Sequence, residues 1–273
     1  MERVNQEYPN FSVVGEAWLG SPSQVAYWQQ NKRNHDGYES NLDYIFDFPL
    51  KDALNQAFME GNGWNTGVAR IYETLSHDFV YENPFHSVVF VDNHDADRIY
   101  TRLGEDIRKL KMALAFLMTT RGVPQLYYGT ELLMTGWEHD GHGHIREDFP
   151  GGWPGDEVNA FSREGRTGDQ NDIWDYIAML NHWRKNKDVI HSGKLTHYIP
   201  EDGIYVYFRY HDDESVMVVL NNNEEHRTFK TRRFAENLAA YRSGTDVLHR
   251  TYFDNLSEIS MPPMSARIIQ LSK

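Results

Sequence analysis

The sequence predicts an α/β unit followed by an all-β unit, and three observations carry that prediction. Residues 11–14, 44–48, 87–91 and 125–128 are short runs rich in β-branched and aromatic residues, separated by stretches with helical spacing, as in the βα repeats of a parallel sheet. Beyond about residue 190 the apolar spacing changes to two. Two of the early runs deliver acids at their ends: one is followed by Gly15-Glu16-Ala17-Trp18, a carboxylate and an indole, and the other breaks abruptly into the almost wholly polar Asp92-Asn93-His94-Asp95-Ala96-Asp97-Arg98. Parallel sheets and barrels keep their chemistry at the carboxyl ends of strands.

After the first run, Ser21-Pro22-Ser23 supplies helix-start chemistry for a short amphipathic stretch over 23–31. Over 50–59, Leu50, Ala53, Leu54, Ala57 and Phe58 recur at helical spacing, and Gly61-Asn62-Gly63 stops the helix. Residues 68–75 read as a further helix. In 107–119, Leu110, Ala113, Leu114 and Leu117 form one stripe that leads to Gly122-Val123-Pro124 and the fourth run. Residues 130–168 are rich in Gly, His, Asp and Trp without periodicity; so long a connection is functional or disordered, and its place after a strand end favours a substrate loop. Residues 172–187, with Ile173, Tyr176, Ile177, Leu180 and Trp183 in register, close the first unit. The runs 204–210, 215–220 and 266–271, punctuated by Asp212-Asp213 and Asn221-Asn222-Asn223, predict an antiparallel β-sandwich. The expected division is 1–189 and 190–273.

Composition narrows the function classes. A chain of 273 residues holds one large domain or two modest ones. Forty acids against 27 bases leave a formal charge of −13, which disfavours nucleic acid and anionic membrane as partners and suits a neutral ligand. Aromatics at 14% leave rings for a ligand face as well as the core. The absence of cysteine removes disulfides, thiolate metal sites and thiol nucleophiles. No apolar run approaches the ~20 residues of a membrane span. Met1 is followed by acidic and polar residues, not by a signal-peptide pattern; a periplasmic or extracytoplasmic protein would carry one upstream.

The order of the motifs resembles the α-amylase family of retaining glycoside hydrolases. Val14-Gly15-Glu16-Ala17-Trp18 and Phe90-Val91-Asp92-Asn93-His94-Asp95 resemble its third and fourth signature regions. Leu42-Asp43-Tyr44-Ile45-Phe46-Asp47-Phe48-Pro49-Leu50 resembles the sixth barrel strand and its exit, and Arg121-Gly122-Val123-Pro124-Gln125-Leu126-Tyr127-Tyr128-Gly129-Thr130-Glu131 the eighth. Asp148-Phe149-Pro150-Gly151-Gly152-Trp153 is similar to a loop of the neopullulanase and cyclomaltodextrinase-like branch. The resemblance implies that residues 1–189 are the second half of a TIM (β/α)8 barrel, strands 5 to 8, and that 190–273 are the family's C-terminal β-sandwich. Nothing upstream of Glu16 matches the family's Gly-x-Arg-x-Asp strand, which carries the nucleophilic aspartate, or its earlier Asp-x-x-x-Asn-His region. The chain is therefore expected to be the C-terminal part of an amylase-like protein, inactive alone for want of a covalent acceptor. Half a barrel leaves open strand edges and an apolar interior, so the expected partner is the missing N-terminal half, or a second copy by self-association.

The resemblance also implies roles. Glu16 is the proton donor, and Asp95 the carboxylate that binds sugar hydroxyls and stabilises the oxocarbenium-like transition state. His94 is expected at the same sugar and Trp18 at the substrate; Asp97 and Arg98 either form a local ion pair or contact the next sugar, and Arg146, Asp148 and Trp153 are expected at outer sugars. The bland alternative for Glu16 is a helix cap. Asn93 is expected to brace its loop, Asp92 to be structural and Phe149 to pack the long loop. A metal cluster of Asp92, His94, Asp95 and Asp97 is disfavoured because adjacent residues at a strand end diverge, and His139-Asp140-Gly141-His142-Gly143-His144 reads as a solvated loop. No cofactor is implied, beyond calcium in a full-length protein. The expected substrate is an α-glucan or maltooligosaccharide. A non-catalytic carbohydrate-binding or scaffolding protein and a glucosyltransferase of the same family are the alternatives.

Overall fold

The computed structural model describes residues 2–273. Helix α1 (Glu2–Glu7) leads into β1 (Val14–Gly15), and α2 (Pro22–Ala26) lies between β1 and β2 (Tyr44–Phe46). The chain continues through α3 (Phe48–Ala57), α4 (Ala69–Ser76), β3 (Ser87–Val89), α5 (Ile99–Arg102), α6 (Ile107–Thr119) and β4 (Val123–Pro124). The strands form one sheet in the order β1-β2-β3-β4, every pair parallel.

These strands are shorter than the apolar runs, for local reasons. Phe48 is already helical because Asp47 Oδ1 accepts from Leu50 N at 3.1 Å and opens α3. The predicted strand 125–128 lies beyond β4: Gln125 N still donates to the Val89 carbonyl of β3 at 2.8 Å, but the Tyr128 carbonyl is taken by the Arg98 guanidinium. Before β4, Gly122 sits at φ 94°, where a Cβ would meet the Ser87 carbonyl oxygen at 2.6 Å, so only glycine lets the chain pass β3 there.

The sheet's two faces differ. Register puts Ile45, Ser87 and Val89 on one face, where all three are buried. Val14, Tyr44, Phe46, Val88 and Val123 share the other, and Val14 and Val123 are 47% and 45% exposed. One side of the sheet is thus covered by helices and the other is an open apolar surface.

The long loop carries the single helical turn α7 (His142–Ile145). Helix α8 (Gly168–Arg184) starts earlier than its apolar register predicts because Thr167 and Gln170 close a capping box, at 3.2 and 2.9 Å. After α9 (Asp188–His191) come β5 (Lys194–His197), β6 (Ile204–His211), β7 (Glu214–Asn221), β8 (Arg227–Lys230), α10 (Ala235–Leu238), β9 (Ser243–Asp246), β10 (Tyr252–Phe253), β11 (Glu258–Met261) and β12 (Ser265–Ser272). They build an antiparallel six-stranded sheet, β10-β9-β12-β7-β6-β5, and a β11-β8 pair.

Alternation in β6 and β7 does not mark an inside and an outside. Val206, Phe208, Met217 and Val219 face the second layer, with Ile259 and Met261. Tyr205, Tyr207, Val216 and Val218 face the other way and share one core with Leu110, Phe116, Ile173 and Leu180 of α6 and α8. Both faces are covered, so six consecutive residues of β6 are buried. The same core holds Val189 and Ile190 of α9, the helix that contains the expected division at 189/190.

Arg209 of β6 crosses that junction. Fully buried, it donates to the carbonyls of Thr119 (2.8 Å) and Thr120 (2.6 Å) at the end of α6, and to those of Ile190 (2.8 Å) in α9 and Gly193 (2.7 Å) after it. Arg184 of α8 adds a bond to the Met118 carbonyl at 3.3 Å. Two guanidiniums thus serve the orphan carbonyls and negative dipole end of α6.

Candidate active site

Because β1 and β3 run parallel in one sheet, the loops that follow them leave from the same edge. Glu16 comes directly after Gly15, the last residue of β1, and is exposed. Trp18 stacks on Phe48 of α3 (ring centroids 4.6 Å apart, planes 20° apart), and Phe48 meets Phe90 edge-on at 5.1 Å. The exits of β1, β2 and β3 are therefore joined by an aromatic chain of three rings. Trp18 keeps half of its surface exposed, with Lys51 Nζ 5.7 Å from its ring.

The segment after β3 is held from inside. Asp92, buried, accepts from Ile99 N at 3.0 Å and from Thr130 Oγ1 at 3.5 Å, which ties the β3 exit to the β4 exit. Asn55 of α3 donates to the Val91 carbonyl at 3.1 Å, and Asn93 Oδ1 accepts from Asp95 N at 3.0 Å in an Asx turn. Asp95 is presented outward on this framework. Its Oδ2 lies 3.0 Å from His94 Nε2, and its Oδ1 accepts from Arg146 Nη2.

Asp97 anchors the long loop, accepting from Glu138 N at 2.7 Å and from Arg102 Nη1 at 3.4 Å. Arg98 requires a correction. Expected in a local ion pair or at a sugar, it is wholly buried: its guanidinium bonds the Tyr128 carbonyl and lies 4.1 Å from the Tyr127 ring and 5.0 Å from that of Tyr128. It braces the loop through that carbonyl and the two ring faces, while its Nε and Nη2 are buried without a hydrogen-bond partner among the described residues.

Arg146 is brought to Asp95. Asp148 is exposed, and Trp153 is 72% exposed, its backbone N–H donating to Asp156 Oδ2 at 2.9 Å. No hydrogen bond or ring contact among the described residues joins these two to Asp95 or Glu16. Phe149 packs on Phe161 with centroids 4.6 Å apart. His142, read from sequence as solvated loop, lies beside Arg146; its place four residues before Arg146 is the signal that spacing offered. No group of three metal-ligating side chains converges among the described residues, and no helix among them is long and apolar enough to cross a membrane.

Burial pushes the Asp92 carboxyl up from 3.8 to about 6, against the Ile99 N–H, the Arg98 charge and the Thr130 hydroxyl, which favour the ionised form. Its folded value exceeds the unfolded one, so the native state holds a proton that the unfolded chain releases. That stability is present below about pH 4 and lost as pH rises through about 6, on the order of 3 kcal/mol. Urea unfolding of wild type and Asp92→Asn across this range should show the variant lacking that loss. Parallel pH profiles for the two proteins would contradict it.

A parallel sheet that carries acids on its exits, joined to an antiparallel sandwich, defines the class: a βα scaffold of the kind that places its chemistry at the carboxyl ends of strands. Residues 1–180 match the family described as "Alpha amylase, catalytic domain", and residues 195–270 match "Cyclo-malto-dextrinase C-terminal domain". The chain belongs to the α-amylase family. It is 30% identical over 223 residues to a cyclomaltodextrin glucanotransferase of Geobacillus stearothermophilus, covering 82% of this chain and 27% of that protein. It is 30% identical over 216 residues to an α-amylase of Niallia circulans, covering 79% and 36%. The structure of an α-amylase from Geobacillus thermoleovorans complexed with acarbose superposes with a TM-score of 0.78 at 22% identity, over 100% of this chain and 56% of that one. The chain thus spans about a third of these curated relatives and about half of the solved structure.

Proposed function

We propose that the chain carries half of the active site of a retaining glycoside hydrolase acting on α-1,4 or α-1,6 glucosidic bonds of starch-derived glucans. In this reading residues 1–189 are strands 5 to 8 of the (β/α)8 barrel and 190–273 the C-terminal domain. Glu16 protonates the leaving glycosidic oxygen, and Asp95, with His94, bonds the sugar hydroxyls and stabilises the oxocarbenium-like transition state. Trp18 offers its exposed indole face to a pyranose, and Asp148 and Trp153 serve outer sugars. Asp97 and Arg98 act indirectly, by holding the loops in place. The observation that carries the proposal is the delivery of Glu16 and Asp95 to one edge of one parallel sheet, their loops linked through Trp18, Phe48 and Phe90.

Retention also needs a carboxylate nucleophile about 5 Å from the donor across the anomeric carbon. The proposal assigns it to the other half of the barrel. Support comes from the open face of Val14, Phe46, Val88 and Val123, and from a cleft of about 350 Å³ between the β4 exit and α8, lined by Leu126, Tyr127, Trp174 and Ile177. A glucosyltransferase would use the same two carboxylates with a sugar in place of water as acceptor, and the similarity to cyclomaltodextrin glucanotransferases supports that second reading.

Release of reducing sugar from maltoheptaose and β-cyclodextrin tests the function. The chain alone is expected to give none; paired with a polypeptide carrying the family's first four barrel strands it should turn over, and Glu16→Gln should then lower kcat by about 10²- to 10⁴-fold. Turnover by the chain alone that Glu16→Gln abolishes would mean the nucleophile lies within it. Sugar binding without turnover in the paired protein would make it a binding module.

A further inference from the structure

Both oxygens of Asp95 are already engaged without sugar: Oδ2 lies 3.0 Å from His94 Nε2, and Oδ1 accepts from Arg146 Nη2. Each oxygen keeps a second acceptor direction, but on the side where Arg146 stands a sugar hydroxyl has to compete with the guanidinium for Oδ1.

Arg146 is not a loose surface side chain. Its Nε donates to the His94 carbonyl at 2.7 Å, and the same Nη2 that reaches Asp95 lies 2.9 Å from His142 Nδ1. The backbone on either side is pinned: Tyr127 Oη donates to the Ile145 carbonyl at 3.2 Å, Tyr128 Oη to the Glu147 carbonyl at 2.8 Å, and the Ile145 side chain is fully buried. A Cβ on Gly136 would come within 2.5 Å of the His144 carbonyl oxygen, so that strand of the loop packs against this segment as well. The two tyrosines following β4 thus hold the backbone, the backbone aims Arg146, and Arg146 covers Asp95.

His142 completes the arrangement. An arginine is a donor only, so the 2.9 Å contact requires a lone pair on Nδ1, with the ring proton on Nε2. That acceptor fixes the second hydrogen of Nη2 and leaves the first for Asp95.

We propose that Arg146 is a latch on Asp95 and that His142 is the positioning residue that sets it, so that a glucan reaches Asp95 Oδ1 only by displacing the guanidinium. The inference rests on reading Asp95 as a sugar-binding carboxylate. Opening the latch exchanges one set of hydrogen bonds for another, and the sugar's apparent affinity is lowered by the fraction of chains that are latched.

The test uses the full chain and two readouts. The first is the NMR signal of the Arg146 guanidinium, whose Nη hydrogens should be resolved and slowly rotating in wild type. His142→Ala should collapse them into one averaged signal, and His142→Gln, whose amide oxygen can accept, should restore them. The second is maltoheptaose titration: His142→Ala should bind about threefold to tenfold more tightly than wild type, and His142→Gln like wild type. Unchanged Arg146 signals in His142→Ala overturn the positioning role. Weaker maltoheptaose binding by His142→Ala overturns the latch and makes Arg146 a sugar ligand. If the guanidinium signals respond as expected while no form of the protein, alone or paired with a polypeptide carrying the family's first four barrel strands, binds maltoheptaose, the glucan reading of the site fails and the placement of Arg146 by His142 stands.

Discussion

Arg121→Met is expected to destabilise the chain by about 3–5 kcal/mol, the range for removing one partner of a buried ion pair. Arg121 is 1% exposed; its Nη1 bonds Asp47 Oδ2 at 2.6 Å, and its Nε and Nη2 hold Asp78 at 2.6 to 3.1 Å. Burial alone would push the guanidinium's pKa down; Asp78 and Asp47 more than reverse this and hold it above its ordinary value. Asp47 is wholly buried, so methionine would leave it as an unpaired charge in the interior. Arg121→Lys should recover less than half, because one ammonium cannot serve both carboxylates as the guanidinium fork does. Adding Asp47→Asn to Arg121→Met should restore a measurable part: the buried charge is gone, and the amide oxygen still accepts from Leu50 N to start α3. Urea unfolding measures all three, and a double variant no more stable than Arg121→Met would show that the buried charge is not the cause.

The second large effect is at the junction. Arg209→Met should cost roughly 3–4 kcal/mol, because four carbonyls lose their donor and α6 loses the positive charge at its negative end. Burial pushes the Arg209 guanidinium down to about 10, with Tyr207 favouring and Arg184 and Arg121 opposing the charged form, and it stays protonated at neutral pH. No carboxylate pairs with it among the described residues; the carbonyl dipoles carry the compensation. Hydrogen exchange should show the last turn of α6 and strand β6 losing protection together in Arg209→Met, with Arg209→Lys intermediate. A wild-type urea midpoint in Arg209→Met would remove this account.

Legibility followed the range of the physics. Helix α6 matches its predicted bounds, 107–119, because its apolar stripe and the Asp106 cap lie within one segment. Strand ends were less readable: whether Phe48 extends β2 or opens α3 depends on Asp47, and whether 125–128 pair depends on an Arg98 thirty residues upstream. At the site, the strand-end positions of Glu16 and Asp95 are local patterns. The burial of Arg98, the stack of Trp18 on Phe48 and the grip of Arg146 on Asp95 join residues distant in sequence, which no spacing rule encodes.

The chain's own order of residues settles the parallel βα unit, the antiparallel sandwich after it and the acids that follow the strands, since periodicity, caps and turn residues act over a few positions. Folding in three dimensions decides which acid has a partner. It buries Asp92 and lifts its pKa, leaves Glu16 exposed, and sets an arginine over Asp95. Desolvation and ion pairing depend on neighbours brought together by packing, so they belong to the tertiary structure and not to the string of residues.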